Sequence, residues 1–448
     1  MRIKKINVEE LFGVFNHEIK MFMDDRTTII HGPNGFGKTT ILKMIDALFN
    51  SRFYILSTIP FKEFKVIFDD NSIIEVIQPE KNDGKPKSHR VSELTITYTQ
   101  NDTNQKLSFQ TNRVEDIEDI GFPLNFIDRA IPQLIRISQS EWKDMSSDEI
   151  LPLDEVVERY GHLLPFHNKK DKKVPDWFNK ITESISVRFI QAQRLFAINN
   201  DQRLQKDYSK SQSMQLSVAL YSKELSTNIK SKLAEYGSLS QSLDRTFPAR
   251  VVNQDMHNYL TDEELRDKLS SLEEKRLRFI EAGLLDKDEK GEFQVPTEID
   301  DKTKSVLSVY VKDVQEKLGV LDEIADRIDI FKKVLDPRFQ YKKMTISKEK
   351  GTVFSTLDGS NLSPSDLSSG EQHELVLLYE LLFKVAPDSL ILIDEPELSL
   401  HVAWQEQFLK DLQEIIRLSN FDVLIATHSP QIIYDRWDLT VELRGIEK

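Results

Sequence analysis

The stretch HGPNGFGKTT, from His31 to Thr40, combines glycines with a lysine and two threonines. Its spacing, Gly-x-x-x-x-Gly-Lys-Thr, places backbone N–H groups, an amine and a hydroxyl along one short loop, which is typical of a loop that binds nucleotide phosphates. In such a loop the lysine reaches the β- and γ-phosphates and the first threonine hydroxyl binds Mg²⁺. The residues predicted to bind ATP here are Gly32, Asn34, Gly35, Gly37, Lys38, Thr39 and Thr40.

Two carboxylates follow an apolar run near the other end of the chain. Residues 390–393 are all apolar and lead directly to Asp394 and Glu395. A phosphate-binding loop needs a second Mg²⁺ ligand and a group that activates water, and a buried strand end can hold both acids in place. We therefore expect Thr39 and Asp394 to hold Mg²⁺ and Glu395 to be catalytic. A solvated strand end is the alternative interpretation.

Two further motifs place polar groups at the ends of predicted elements. In LSSGEQ, Ser368, Ser369 and Gly370 begin a predicted amphipathic helix, whose free N–H groups and positive dipole end suit an anion. In FDVLIATHSP a strand ends at His428, which we expect to hydrogen-bond the γ-phosphate. Because a helix N-terminus already occupies the Lys38 loop, we expect the serine motif to act on ATP held by a second copy. A plain helix cap and a structural histidine are the alternatives.

The elements that must position these motifs indicate an α/β fold. Strands precede the glycine-rich loop, a helix follows it, and strands alternate with helices over the last hundred residues, which favours a parallel sheet. Hairpins are predicted over 61–78, 93–111 and 342–357, irregular structure over 113–180, and helices over about 200–335. The predicted domains are the N-terminal head 1–200, the helical, short coiled-coil insertion 201–335 and the C-terminal head 336–448.

The composition of the 448 residues limits the class of protein. A net charge of −14 argues against a long basic surface for nucleic acid. The absence of cysteine excludes disulfides and thiolate metal sites and suits a reducing cytoplasm. No apolar run is long enough for a signal peptide or a membrane helix. We therefore expect a cytoplasmic protein.

The four motifs, in this order, resemble the ATP-binding cassette superfamily, and within it the soluble SMC, RecF and OLD-type ATPases. The resemblance covers about residues 1–50 and 360–435. It implies an ABC-type head with a mixed central sheet, an antiparallel β subdomain and an inserted helical lobe. It also implies that Glu395 is the general base, that His428 is the switch histidine, that Ser369 and Gly370 act across a dimer, and that residues 397–401 cross the dimer interface.

Two residues that the resemblance implies, a coupling glutamine and an adenine contact, are not assigned to a single position by the sequence. A glutamine at a strand end should couple the nucleotide to the lobe, and the candidates are Gln139, Gln191 and Gln193, of which we favour Gln193 because an apolar strand precedes it and the helical lobe follows. The adenine contact is also unassigned: Phe12 and Phe15 are candidates, with a core position favoured for both.

With the segments RFIQAQRL at 188–195 and DRWDLTVEL at 435–443, the chain also resembles the stand-alone ATPase subunits of the Septu, PARIS and retron-associated anti-phage systems. That resemblance implies ATP and Mg²⁺ as cofactors, a homodimer or a higher homo-oligomer, and a separately encoded effector, expected to be a nuclease because no nuclease domain follows His428. DNA or a phage protein would be the trigger. The alternative is an SMC- or RecF-like DNA-repair ATPase that acts directly on DNA. A nucleotide-gated scaffold is a third reading, against which Glu395 argues.

Overall fold

The protein was analysed as a computed structural model, which describes residues 1–79, 93–101, 105–111, 124, 127–128, 131, 133–138, 140–145, 148–160, 174–190, 196–198, 214–253, 260–287, 300–339 and 341–445. In chain order the strands are β1 Ile3–Leu11, β2 Phe15–Lys20, β3 Thr27–His31, β4 Glu63–Phe68, β5 Ile73–Ile77, β6 Thr95–Thr99, β7 Lys106–Gln110, β8 Leu134–Arg136, β9 Glu141–Asp144, β10 Ile150–Pro152, β11 Val187–Ile190, β12 Phe196–Ile198, β13 Met214–Leu216, β14 Lys342–Ser347, β15 Gly351–Thr356, β16 Asn361–Leu362, β17 Leu390–Asp394, β18 Asp422–Thr427 and β19 Thr440–Glu442. The helices are α1 Lys38–Phe49, α2 Phe53–Thr58, α3 Leu153–Tyr160, α4 Asp176–Ser184, α5 Ser217–Val252, α6 Asp262–Glu281, α7 Asp301–Gly319, α8 Asp322–Leu335, α9 Ser369–Phe383, α10 Val402–Ser419 and α11 Pro430–Ile433.

The chain divides into two compact units, Met1–Ser217 with Lys384–Lys448, and Val218–Phe383. The first unit contains a parallel sheet in the order β11-β17-β18-β3-β19 and a six-stranded antiparallel sheet in the order β2-β1-β4-β5-β6-β7. The α/β fold class is therefore present, and in the described residues parallel and antiparallel pairs belong to separate sheets. The predicted hairpins over 61–78 and 93–111 are confirmed as β4–β5 and β6–β7.

One hydrophobic core joins the parallel sheet and the six-stranded antiparallel sheet of the first unit through α1. Ile41 and Ile45 of the helix are fully buried, together with Phe64 of the antiparallel sheet and Leu392 and Leu424 of the parallel sheet. The strand before the glycine-rich loop and the helix after it are thus fixed by burial on both sides, which holds the loop itself at the carboxyl end of β3.

The expectation of irregular structure over 113–180 is wrong for much of its described part. Strands β8, β9 and β10 form a small antiparallel sheet. Trp142 of this sheet and Val156 of α3 belong to a separate hydrophobic cluster. The strands are only three or four residues long, so they carry too little alternation to be recognised in the sequence.

The second unit holds helices α6 to α9, nearly all of α5 and the sheet β14-β15-β16. The hairpin predicted over 342–357 is confirmed. It belongs to the same unit as the helices, whereas the sequence analysis placed it in the C-terminal head; Ser226 of α5 donates a hydrogen bond to the carbonyl of Lys348 over 2.8 Å, which ties the hairpin to α5. Across the described part of the chain, no helix has both the length and the apolar character needed to cross a bilayer.

Candidate functional site

The glycine-rich loop connects β3 to α1 through backbone conformations that favour glycine. Gly35 and Gly37 both have a φ of +87°. A Cβ atom on Gly37 would also lie 2.5 Å from Cδ2 of Leu11, so a side chain there would be strained by its conformation and would force the Leu11 side chain to move. Helix α1 has no side-chain cap at Gly37, which leaves its first N–H groups available to an anion.

The Lys38 side chain lies inside the loop rather than in solvent. The residue is buried, and its Nζ donates hydrogen bonds to the carbonyls of Gly32 at 2.7 Å and Pro33 at 3.1 Å. This ammonium group is held by two neutral carbonyls and has no charged partner among the residues that the structure describes. A phosphate bound within the loop would supply that negative charge.

The parallel register brings the distant acids to this loop. Ile393 of β17 pairs with Ile425 of β18, and Ala426 pairs with Ile30 of β3, so these strands end side by side. At that edge the Thr39 hydroxyl donates to Oδ1 of Asp394 over 2.9 Å. Asp394 is only 8% exposed, so the interpretation as a solvated strand end is wrong.

Burial raises the pKa of Asp394 to about 6. The hydrogen bond from Thr39 opposes this rise, and the negative charges of Glu395 and Glu397 add to it. A divalent cation would reverse the balance by stabilising the carboxylate. The oxygen donors of Thr39 and Asp394 are the type that Mg²⁺ prefers, with water and phosphate oxygens completing its shell. Among the described residues, no three His, Asp or Glu side chains form a closed metal cage.

Glu395 follows Asp394 in a strained backbone conformation. Its φ of 40° and ψ of 60° lie in the left-handed region, and its N–H donates to the carbonyl of Ala426 over 2.8 Å. Such strain persists only where surrounding contacts enforce it. The Glu395 side chain is 24% exposed, and its Oε1 lies 3.6 Å from Nδ1 of His428. The structure therefore brings Lys38, Asp394, Glu395 and His428 to one edge of the parallel sheet.

The carboxylate of Glu397 contacts His428, although Glu397 belongs to the loop that was predicted to cross the dimer interface. Oε1 of Glu397 lies 3.0 Å from Nδ1 of His428 and accepts hydrogen bonds from the hydroxyl of Thr427 and the backbone N–H of His428. The side chain of Glu397 is only 5% exposed. Leu398, the next residue in that loop, is 64% exposed.

A cavity of about 320 Å³ opens beside the glycine-rich loop. Its lining residues are His31, Gly32, Pro33, Asn34, His428, Pro430, Ile433 and Trp437. The cavity therefore joins the first half of the loop to the ring of His428. The ring of Trp437, half exposed, meets His31 edge-on with centroids 5.5 Å apart. Trp437 is not among the site residues predicted from the sequence.

The favoured core position for Phe12 is wrong, because this residue is 43% exposed and has a φ of 57°. Its Cε2 lies 3.6 Å from the position that a Cβ on Gly37 would occupy, so the ring borders the glycine-rich loop. Phe15 is partly buried and packs on Phe36. The glutamine candidates Gln139, Gln191 and Gln193 lie outside the described residues.

The serine motif lies in the second unit, at the start of α9. Oε2 of Glu371 accepts hydrogen bonds from the N–H of Ser368 at 2.7 Å and from Nζ of Lys342 at 2.6 Å. Helix α9 is buried almost all around from Gln372 to Leu382, so the expected amphipathic pattern is wrong. The motif residues Ser369 and Gly370 are its first two residues.

Comparison with known proteins gives a family, a partial relative and structural neighbours. The family model described as the AAA ATPase domain matches residues 1–433. A curated relative, Protein ea59 of Escherichia phage lambda, is 36% identical over 69 residues, which make up 15% of this chain and only 13% of that protein.

Two solved structures are also similar to this chain. The Smc head domain of Pyrococcus furiosus, bound to the C-terminal domain of ScpA, is 13% identical with a TM-score of 0.35, over 99% of this chain and 94% of that one. The SMC head domain of Thermotoga maritima is 11% identical with a TM-score of 0.31, over 97% of this chain and 91% of that one.

Proposed function

This chain belongs to the AAA ATPase domain family, and we propose that it hydrolyses ATP with Mg²⁺ as one subunit of an oligomer that controls a separately encoded effector. The observation that carries the proposal is the hydrogen bond between Thr39 and Asp394, which joins the glycine-rich loop to the strand that bears the acids. A hydroxyl and a carboxylate in contact beside a phosphate-binding loop are oxygen donors that would hold Mg²⁺, which supports the proposal.

Each residue of the site has a distinct role in the proposed hydrolysis. Lys38 and the free N–H groups of α1 bind the phosphates, and Thr39 and Asp394 would hold Mg²⁺. When bound, the metal neutralises charge on the phosphate oxygens. Glu395 accepts the proton of the attacking water, and its fixed backbone aims the carboxylate without a reorganisation cost. His428 contacts the terminal phosphate.

We infer that Ser369 and Gly370 complete the site in a second copy of the chain. Both stand at the N-terminus of α9, where N–H groups and the helix dipole favour an anion. ATP would then hold two copies together, and its hydrolysis would release them, which is a shift of population by nucleotide.

We propose further that the oligomer is the ATPase component of an anti-phage defence complex whose effector is a nuclease. The sequence resemblance to such subunits supports this assignment. The net charge of −14 favours a protein partner over a nucleic acid bound along the surface. A DNA-repair ATPase would instead bind DNA directly, with an affinity that falls steeply as salt rises.

The experiment that tests this function measures three quantities on the purified chain. ATP hydrolysis should require Mg²⁺ and disappear in Lys38→Ala. Association with the product of the neighbouring gene should differ between the ATP-bound Glu395→Gln variant and Lys38→Ala. Filter binding of DNA at two salt concentrations should show no salt-sensitive complex. If the chain binds the product of the neighbouring gene equally well in every nucleotide state, effector control is contradicted. Salt-sensitive DNA binding would favour the repair ATPase.

A further inference from the structure

Glu397 has two features that a residue of an exposed interface loop does not need. Its carboxylate is buried, and two donors bind one oxygen, Oε1: the hydroxyl of Thr427 at 2.6 Å and the N–H of His428 at 2.9 Å. Nδ1 of the same histidine lies 3.0 Å from this oxygen. Its other oxygen, Oε2, is buried and accepts no hydrogen bond from the described residues. The side-chain hydrogen bonds of Glu397 seen among these residues thus all come from Thr427 and His428.

These contacts favour one tautomer of the histidine ring. A carboxylate oxygen can only accept, so the distance of 3.0 Å from Oε1 of Glu397 favours a proton on Nδ1 of His428. Nε2 is then the ring atom left for a ligand, and the ring lines the cavity that also contains Gly32 and Asn34 of the phosphate loop. A ring so held presents Nε2 in a fixed direction.

The same contact keeps His428 away from the proposed base. Nδ1 lies 3.6 Å from Oε1 of Glu395, beyond hydrogen-bonding distance, but 3.0 Å from Oε1 of Glu397. Without Glu397, the nearest carboxylate for this ring nitrogen is Glu395. A His428–Glu395 pair would occupy the group that activates water.

We propose that Glu397 is a positioning residue for hydrolysis: it fixes Nδ1 of His428, presents Nε2 to the terminal phosphate of bound ATP, and leaves Glu395 free for water. The inference rests on the proposed function and deepens it. Because Glu397 is followed directly by the exposed Leu398, the same contact ties the conformation of the exposed loop to that of the histidine.

The test is a double-mutant cycle on ATP hydrolysis with Glu397→Ala, His428→Ala and the combined variant. We expect Glu397→Ala to lower kcat about tenfold or more with KM changed less than about threefold, since orientation of a transition-state contact is lost. The combined variant should be no slower than His428→Ala within about twofold, because Glu397 acts through the histidine. Glu406→Ala, an exposed acid of α10, is the matched control.

Two further measurements separate positioning from a purely structural role. Glu397→Gln should recover most of kcat, because its amide oxygen can replace the single accepting Oε1. In ¹⁵N spectra of the imidazole ring, His428 should carry its proton on Nδ1 in the wild type, and the Nδ1 resonance should shift in Glu397→Ala because that proton loses Glu397 as its partner. This readout does not need hydrolysis, so it tests the contact even if the chain were no ATPase.

Additive losses in the combined variant would overturn the proposal, as would wild-type kcat in Glu397→Ala or Glu397→Gln as slow as the alanine variant. An Nδ1 that carries no proton in the wild type would do the same. A wild type that hydrolyses no ATP would instead overturn the proposed function, with the ring spectrum still deciding whether Glu397 positions His428.

Discussion

The hydroxyl of Thr39 donates a hydrogen bond of 2.9 Å to Oδ1 of Asp394, across 355 residues of sequence. The contact exists because β3, β18 and β17 lie side by side in a parallel sheet, whose strands all end at the same edge. It joins the glycine-rich loop to the acidic strand end, so the two side chains proposed to hold Mg²⁺ are in direct contact.

The first prediction concerns Lys38, whose amine is held by two loop carbonyls. Lys38→Ala should weaken ATP binding by roughly 100-fold or more, because a charge-assisted contact to phosphate is lost in a buried site. Fluorescent-nucleotide titration measures this. Lys62→Ala is the control, since Lys62 is 54% exposed and pairs with Glu10. Equal affinities for the two variants would rule out the loop as the phosphate site.

The second prediction follows from the raised pKa of Asp394, about 6 in the folded protein against 3.8 for a free carboxyl. Between these pH values the folded state binds more protons than the unfolded state, so the free energy of unfolding falls as pH rises through this window. Asp394→Asn removes the buried charge. Without nucleotide it should be more stable than the wild type at about pH 8, by on the order of 1–3 kcal/mol, and the gain should vanish below about pH 4.

Thermal unfolding with and without Mg²⁺ and ATP measures this effect. With both ligands the order should reverse, because Asp394→Asn loses a ligand of the metal and with it the stabilisation that binding provides. If the difference in the free energy of unfolding between Asp394→Asn and the wild type stays constant from about pH 4 to about pH 8, burial does not destabilise the Asp394 carboxylate.

The third prediction is that the exposed ring of Phe12 stacks on the nucleobase. This ring lies beside Gly37 in a left-handed backbone conformation, where an exposed aromatic residue is unusual. Phe12→Ala should raise the KM for ATP about tenfold, as expected for the loss of one stacking contact, with kcat little changed. Val14→Ala, 44% exposed, is the control. If both variants keep the wild-type KM, adenine is held elsewhere.

The fourth prediction concerns Glu395→Gln, which keeps the shape of the side chain and removes its basicity. Hydrolysis should fall by about 100-fold or more, and ATP should remain bound. Light scattering after size exclusion should then show a dimer or larger species in ATP that is absent in ADP. A variant that stays monomeric in ATP would count against ATP shared between copies.

The sequence predicts much of the site because its local patterns are strong. Loop glycines beside Lys38 and an apolar strand before Asp394 specify their own elements, and parallel strands end at one edge. The positioning of His428 was not predictable, because Glu397 reaches it only through the register of β17 and β18 and the turn after Glu395. The exposure of Phe12 was also missed, since it depends on a positive φ that no neighbouring residue signals.

Helix α9 is a second element whose burial was not predictable from the sequence: polar residues that were expected to face solvent are buried. Its sequence from Ser369 to Phe383 begins with polar residues, which favoured a helix with one solvent-facing side. In the fold, Gln372 and Glu374 are buried with the leucines, and the amide of Gln372 donates to the carbonyl of Leu367 over 2.8 Å. Burial of such polar groups is decided by tertiary partners, which a single sequence does not specify.

Whether two copies of the chain share each ATP is measured by mixing two variants that are inactive alone. Lys38→Ala destroys the phosphate loop and Ser369→Arg blocks the serine motif, so each variant alone should hydrolyse no ATP. In a mixture, half of the dimers should be mixed and each should have one intact site, giving roughly a quarter of wild-type activity. A mixture that stays as inactive as its components, although mixed dimers form, would contradict the shared site.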